Sequence, residues 1–599
     1  MQNGALPVNP HCAGFDTIPG LLLHATSRYS RTNALNYPRA GQWIPLSHGE
    51  LRRQVEHLCL GLLEEGLRRG DRVGLIAPSS PLWVVVDLAV QCAGAISVPL
   101  FKRISAESFA HEVQDSGMSW LFVGNPEEMP MAFAHARDRA KLVTFWYSGG
   151  HELFERIMAR GRERSLREPG LFESLCDRVA PSDLATIIYT SGSTGLPKGV
   201  ELTQSNIVSQ VQATTDVFPP SAADDICLSV LPPEHIFERM SLCFYLASGI
   251  PIYFVDDPKR VVDYLRDVRP TIMTVVPRIL EKVAAGFARA ARETRGLKGV
   301  IARAALARAR AKAADAAPGP LDRFFDAAVY ARMRQALGGR LRQLVSGAAS
   351  LSPEVATLLI NVGVPVFEGY GLTEASPVIS ANAPGRRKVG TVGQAYPGVE
   401  IRIAEDGEIL ATGPNVMRGY HNSSQATAAT VDAQGWLHTG DLGSLDEDGY
   451  LRVTGRKKEL FKKSTGEYVP PGPIEEALCR IPFVDSAMTV ADNRAYVVAL
   501  LFPDPQKLAA FKESVGLSNL SDGEFLKSDF LRSFTQESIE RINAHLHHTE
   551  RVERFTILDH PAGVETGELT PTLKLRRFAV QEMYADTIED MYRSIGGWK

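Results

Sequence analysis

Tyr189-Thr-Ser-Gly-Ser-Thr-Gly-Leu-Pro-Lys-Gly199 follows directly on Leu184-Ala-Thr-Ile-Ile188, an apolar and β-branched run that predicts a short buried strand. A strand that ends in a loop of glycines and hydroxyls delivers that loop to one end of a sheet. Gly192, Gly195 and Gly199 free the backbone to turn its N–H groups inward on an anion. Thr190, Ser191, Ser193 and Thr194 add hydroxyl donors, and Lys198 adds a mobile positive charge suited to phosphate oxygens. A flexible turn would share the Ser/Gly composition, but Pro-Lys-Gly in register after a buried strand favours a triphosphate cradle. It is not a Walker loop, because Pro197 precedes the lysine and Gly199 follows it.

The loop resembles the phosphate loop of the adenylate-forming superfamily of acyl- and aryl-CoA synthetases, luciferase-like enzymes and peptide-synthetase adenylation domains. Further motifs follow in that superfamily's order. Leu231-Pro-Pro-Glu-His-Ile-Phe-Glu-Arg239 places His235 at the position that lines the family's acyl site, with Pro233-Glu234 where relatives often carry an apolar and a small residue. Ser346-Gly-Ala-Ala349 offers small residues, Gly347 among them, against which a purine can lie. In Phe367-Glu-Gly-Tyr-Gly-Leu-Thr-Glu-Ala-Ser376, Glu368, Gly369 and Gly371 surround Tyr370, and Glu374 carries the hard oxygen that magnesium prefers. The resemblance implies that Tyr370 stacks on adenine, that Thr373 touches the α-phosphate, and that Glu374 and Thr190 reach the metal.

Trp436-Leu-His-Thr-Gly-Asp-Leu-Gly443 reads as a glycine turn holding Asp441, which in the family accepts both ribose hydroxyls. Arg456 matches the nucleotide-binding arginine and Lys458 the hinge. Glu475 continues the pattern, and Leu569-Thr-Pro-Thr-Leu-Lys-Leu-Arg-Arg577 puts Lys574 where the family keeps its catalytic lysine. His-Ile-Phe-Glu-Arg and Leu-Thr-Pro-Thr-Leu-Lys are most similar to long-chain fatty acyl-CoA synthetases. The resemblance thus implies a ligase that uses ATP, Mg²⁺ and coenzyme A on a long-chain fatty acid. Lys574, His235 and Lys198 are its expected catalytic residues. An acyl-AMP ligase serving a carrier protein is an alternative, and a catalytically dead fatty-acid-binding or membrane-associated protein is one of another class.

The remainder of the chain agrees with that expectation. At 599 residues it exceeds one ordinary core, and 44% hydrophobic with 22% charged residues is a globular composition. A net charge of −4 gives no electrostatic case for nucleic acid. Seven scattered cysteines without a C-x-x-C pair fit buried thiols in a reducing compartment. No export signal is visible, and Asp87 and Gln91 in the apolar segment from Pro81 to Phe101 predict a buried helix running into a strand in place of a membrane span. The expected location is cytoplasmic, with peripheral contact at the inner face of the membrane left open.

Strands alternating with helices from Trp43 to Val123 predict an α/β fold with parallel or mixed sheets and flanking helices. The expected division is a large domain over 1–454, a hinge at 455–458, and a small mobile α+β domain over 459–599. The Ala/Arg-rich stretch 282–312 predicts helices broken near Gly296 to Gly299 and ended by Pro318-Gly-Pro320, with a solvated basic face or one that meets anionic lipid or an acidic carrier.

Overall fold

The two polar residues of the apolar segment from Pro81 show why it is a buried helix. In the computed structural model, which describes residues 14–102, 104–124, 126–145, 152–190, 197–457, 460–464, 467–570 and 575–593, the helix is Pro81–Cys92. Ser80 caps it by accepting the Trp83 N–H. Gln91 donates to the carbonyl of Ala185 at 2.7 Å and accepts from Gln204 at 2.6 Å. Asp87 takes a two-pronged contact from Arg239, at 2.6 and 3.0 Å. Arg239 also donates to Thr186 Oγ1 at 2.7 Å, and Thr186 donates to the Ser97 carbonyl at 2.7 Å. These polar groups, none of which meets solvent, therefore lock the helix to the strand Leu184–Thr190.

Among the described residues that strand belongs to a seven-stranded sheet in the order 419–420, 198–203, 184–190, 96–99, 72–76, 120–123, 141–144. From Lys141–Thr144 to Leu184–Thr190 the neighbours run parallel. Lys198–Thr203 then returns antiparallel, with Thr190 opposite Lys198. A second sheet has nine strands in the order 394–395, 378–381, 366–371, 343–346, 272–275, 227–229, 252–254, 35–39, 42–46, parallel through its centre and antiparallel at its edges. A four-stranded antiparallel sheet over 400–456 completes the large domain. The C-terminal part has its own core, built on the strands Val484–Val490, Val497–Pro503 and Val552–Ile557.

Two local expectations are corrected. The helices of the Ala/Arg-rich stretch are Pro277–Glu293 and Gly296–Ala311, so the break falls at Thr294 and Arg295 and the second helix stops before the proline pair. Asn361 explains that stop, since its amide donates to the carbonyls of Ala309 and Lys312 at 2.9 and 2.8 Å and satisfies groups a longer helix would use. Val552–Ile557 is a strand parallel to Val497–Pro503, in keeping with the α+β character expected of 459–599. Asp441 lies in the strand Leu437–Leu445, opposite Arg456, and not in a turn. Arg303 and Arg310 are exposed, whereas Arg308 and Lys312 both pair with Asp322. Among the described residues no helix is long and apolar enough to cross a membrane, and six cysteines are free thiols, five of them buried.

Removing one partner of the enclosed Asp87–Arg239 pair leaves a charge with no compensation, which costs about 3–5 kcal/mol. Asp87→Ala is therefore expected to lower stability in denaturant titration by that amount. The double variant Asp87→Leu/Arg239→Met should cost clearly less than the two single losses combined.

Candidate functional site

Alternation along two neighbouring parallel strands builds the floor of an apolar cavity. Ile272 and Thr274 from one strand and Gln343 and Val345 from the next line it, in the register Ile272 to Gln343 and Thr274 to Val345. Gly347 and Ala348 continue the line beyond the second strand, and Gly369, Tyr370 and Gly371 come from the third. The helix Ile236–Ala247 closes the opposite side with Phe237, Met240, Ser241, Phe244 and Tyr245. The enclosed space is about 70 Å³, room for about two waters, so a long acyl chain needs these side chains to swing aside. Met240, unbranched and polarizable, is suited to that.

His235 stands at the mouth as the N-cap of Ile236–Ala247, its Nδ1 accepting the Phe237 N–H at 3.3 Å. Glu234 beside it is buried, and burial pushes its carboxyl up to about 7. Farther along, Tyr370 donates its hydroxyl to Asp441 Oδ2 at 2.7 Å, and Arg456 Nε lies 3.2 Å from Asp441 Oδ1. Burial and the Asp441 charge raise the Tyr370 phenol above its ordinary range, so it stays a donor. Burial also raises Glu368, to about 7. Gly371 is required here by contact: a Cβ would sit 1.7 Å from the Pro377 carbonyl oxygen. The motif glycines thus serve close backbone approach as much as presentation of the tyrosine ring.

A second cluster gathers around Glu374. Tyr420 donates to its Oε1 at 2.8 Å, and Lys198 Nζ lies 5.1 Å from the Tyr420 ring centre. Tyr420 reaches this place because Gly419–Tyr420 adds antiparallel to Lys198–Thr203. No described residue takes Glu374 Oε2, and among the described residues no three His, Cys, Asp or Glu side chains gather as a metal cage. A carboxylate oxygen that no described residue takes, in the same cluster as Lys198, fits Mg²⁺, which is commonly held by one or two carboxylates together with substrate phosphates. Thr373 is buried beside it, and Thr190 lies opposite Lys198 in the hairpin ladder.

Ser191, Gly192, Ser193, Thr194, Gly195, Lys458 and Lys574 lie outside the described residues. The flanks of the first five are firmly held. His111 Nε2 donates to the Pro197 carbonyl at 2.9 Å, Tyr189 donates to Asp115 Oδ2 at 2.7 Å, and Asn422 donates to the Asp115 carbonyl at 3.0 Å. On the far side of Lys574, Arg577 makes two 2.8 Å contacts with Glu475, which also accepts from the Thr489 backbone N–H at 2.7 Å. Tyr420, His111, Asp115 and Arg577 were not foreseen, because their partners are remote in sequence and no local pattern marks them.

A model described as AMP-binding enzyme matches residues 22–421, and one described as AMP-binding enzyme C-terminal domain matches residues 459–596. Long-chain-fatty-acid–CoA ligase FadD15 of Mycobacterium bovis is 33% identical over 562 residues, covering 92% of this chain and 93% of its own. Long-chain-fatty-acid–CoA ligase 1 of Homo sapiens is 30% identical over 580 residues, covering 91% and 82%. Among solved structures, the adenylation domain of a carboxylate reductase from Mycobacterium chelonae gives a TM-score of 0.73 at 21% identity, covering 98% of this chain and 94% of that one. ATP-bound MatB from Rhodopseudomonas palustris gives 0.69 at 21% identity, with coverage of 95% and 99%. These two likenesses show the fold.

Glu112, on the helix whose His111 and Asp115 hold the loop flanks, is buried with Oε2 unpaired, and burial raises its carboxyl from 4.5 to about 8. Across that window the folded chain keeps a proton that the unfolded chain has released, so stability falls as pH rises. Glu112→Gln is expected to flatten the decline between about pH 5 and pH 8 by up to about 1.4 kcal/mol per pH unit, read from urea midpoints.

Proposed function

The chain belongs to the family of AMP-binding enzymes, and from that premise we propose that this site activates a long-chain fatty acid with ATP and passes the acyl group to coenzyme A. The observation that carries the reading is the meeting of an apolar cavity with two polar clusters, Tyr370–Asp441–Arg456 and Lys198–Tyr420–Glu374. The relatives named as long-chain-fatty-acid–CoA ligases, aligned over more than nine-tenths of this chain, support it.

A carboxylate acylates poorly because its oxygen is a bad leaving group. In the first step a fatty carboxylate oxygen bonds to the α-phosphorus of ATP, the α–β phosphoanhydride bond breaks, and pyrophosphate leaves. In the second the thiol sulfur of coenzyme A bonds to the acyl carbon, AMP departs with the C–O electron pair, and the thiol proton is lost. Neither step needs a protein nucleophile, so positioning and charge supply the catalysis. Asp441, turned toward Tyr370 and Arg456, receives the ribose hydroxyls, and the Tyr370 ring supports adenine beside Gly347 and Gly369. Thr190, Thr373, Lys198 and the loop hydroxyls of Ser191, Ser193 and Thr194 hold the phosphates. Glu374 and Thr190 would hold Mg²⁺, which neutralises phosphate charge when bound. His235 and the helix it caps border the acyl entrance and keep water from the adenylate.

The family's two arrangements of the small domain assign Lys574 to the first step alone, with residues 455–458 as the hinge between 1–454 and 459–599. Glu475 and Arg577 would carry its loop as one piece with the small domain.

Loss of one charge-assisted contact at the reacting phosphate costs on the order of 3 to 4 kcal/mol. Lys574→Ala should therefore make acyl-AMP from ATP and fatty acid roughly a hundredfold to a thousandfold more slowly. Given preformed acyl-AMP and coenzyme A, it should form thioester at close to the parent rate. Equal loss of both half-reactions in a folded variant would end the assignment. Glu374→Ala is expected to abolish ATP–pyrophosphate exchange at saturating ATP. Offering the parent enzyme coenzyme A or a phosphopantetheinylated carrier protein separates the ligase from an acyl-AMP ligase serving carriers.

A further inference from the structure

The side chains that make the acyl cavity are not uniformly apolar, and their hydrogen bonds differ in one respect. Thr214 Oγ1 donates to the Gln210 carbonyl at 2.7 Å and accepts from Tyr396 at 2.9 Å. Ser241 donates to the Phe237 carbonyl at 2.8 Å. Thr274 donates to Glu238 Oε2 at 2.6 Å, while Ser229 donates to the other oxygen of that enclosed carboxyl at 2.5 Å. Tyr370 is held by Asp441. Gln343 is the exception. It lines the cavity, its side chain is 2% exposed, and its Oε1 has no hydrogen-bond partner among the described residues. An amide oxygen enclosed without a donor is a costly group in an apolar wall unless something in the cavity donates to it.

Its backbone setting is fixed. The Gln343 N–H donates to the Thr271 carbonyl at 3.1 Å, and the neighbouring Arg342 pairs with the fully enclosed Asp225 and donates to it from Nε at 2.5 Å. The amide is thus carried on an anchored strand start. Gln343 and Val345 share one face of their strand, which leads on to Gly347 at the nucleotide end. Four residues of strand put Gln343 roughly 13 Å from Gly347. A fatty acid whose carboxylate reacts near Tyr370 and Gly347 therefore brings the middle of its chain, and not its head, to this amide.

Building on the fatty-acid reading above, we propose that Gln343 selects fatty acids carrying a mid-chain hydroxyl, whose O–H donates to the amide oxygen while the apolar walls take the rest of the chain. A hydroxyl both donates and accepts, so it also suits Thr274 Oγ1, one diagonal step away across the strand pair, as a second contact.

The test is acyl-CoA formation by the parent enzyme and by Gln343→Met, a change that nearly conserves volume. The substrates are octadecanoate and a series of its mid-chain monohydroxy isomers. The parent is expected to use at least one isomer as well as or better than octadecanoate. Gln343→Met should lower kcat/KM for that isomer roughly tenfold to a hundredfold relative to kcat/KM for octadecanoate measured on the same variant. The selectivity claim falls if the parent discriminates against every isomer, which needs no variant and so decides the matter even if Gln343→Met does not fold. It also falls if the variant lowers both substrates alike, as it would if the amide only held a resident water. Efficient use of octadecanoate in either case leaves the ligase reading intact, whereas failure of the parent on all fatty acids removes that reading and the selectivity with it.

Discussion

Arg239, 1% exposed, is the group on which the rest of the site depends. Its guanidinium joins Asp87 on the helix Pro81–Cys92 to Thr186 on the strand that leads into the phosphate loop, and its own helix forms the acyl wall. A full charge enclosed in protein is tolerated only when every donor finds a partner, so this residue fixes three elements in one geometry. Such a contact contributes less to net stability than to keeping the acyl wall and the phosphate strand in register. Trp83, whose ring centre is 5.9 Å from the Arg239 Cζ, seals the pair from the side.

Around that anchor, parallel strands set the direction of the chemistry. Side chains alternate along Ile272–Val275 and Gln343–Ser346, so one face of the sheet becomes the floor of the apolar cavity, which runs on past the strand ends to Gly347 and Tyr370. The mixed topology adds what a purely parallel sheet would lack. The antiparallel return of Lys198–Thr203 recruits Gly419–Tyr420, and that places a phenol between Lys198 and Glu374. In the four-stranded sheet, the pairing of Asp441 with Arg456 puts carboxylate and guanidinium side by side just before the position assigned to the hinge. Rotation there would act on the nucleotide cluster as well as on the small domain.

Charge at this site is managed by burial as much as by pairing. Glu234, Glu238 and Glu368 are each raised to about 7, chiefly by burial, so each keeps a proton at mildly acidic pH, where a free glutamate has lost it.

The sequence by itself determined the order of elements and the kind of chemistry, because both depend on local signals. Apolar, β-branched runs marked the strands at 72–76, 120–123 and 184–190, and the spacing of Gly, Ser, Thr and Lys gave the expectation of a phosphate loop, most of which lies outside the described residues. Asp87 and Gln91 in an apolar run announced a buried helix, because polar groups inside a protein must find partners there. Which partners they find was decided only by the tertiary structure. Thr186 and Arg239, Tyr420 and Glu374, and Arg577 and Glu475 are separated by 53, 46 and 102 residues, and such pairings leave no trace in a window of local periodicity. The end of Gly296–Ala311 was misplaced for the same reason: Asn361, some fifty residues away, supplies the hydrogen bonds that stop it. Gln343 stands in sequence as one polar residue inside the short run 341–345, and only the packing of three strands and a helix around it makes its amide oxygen a feature of the cavity.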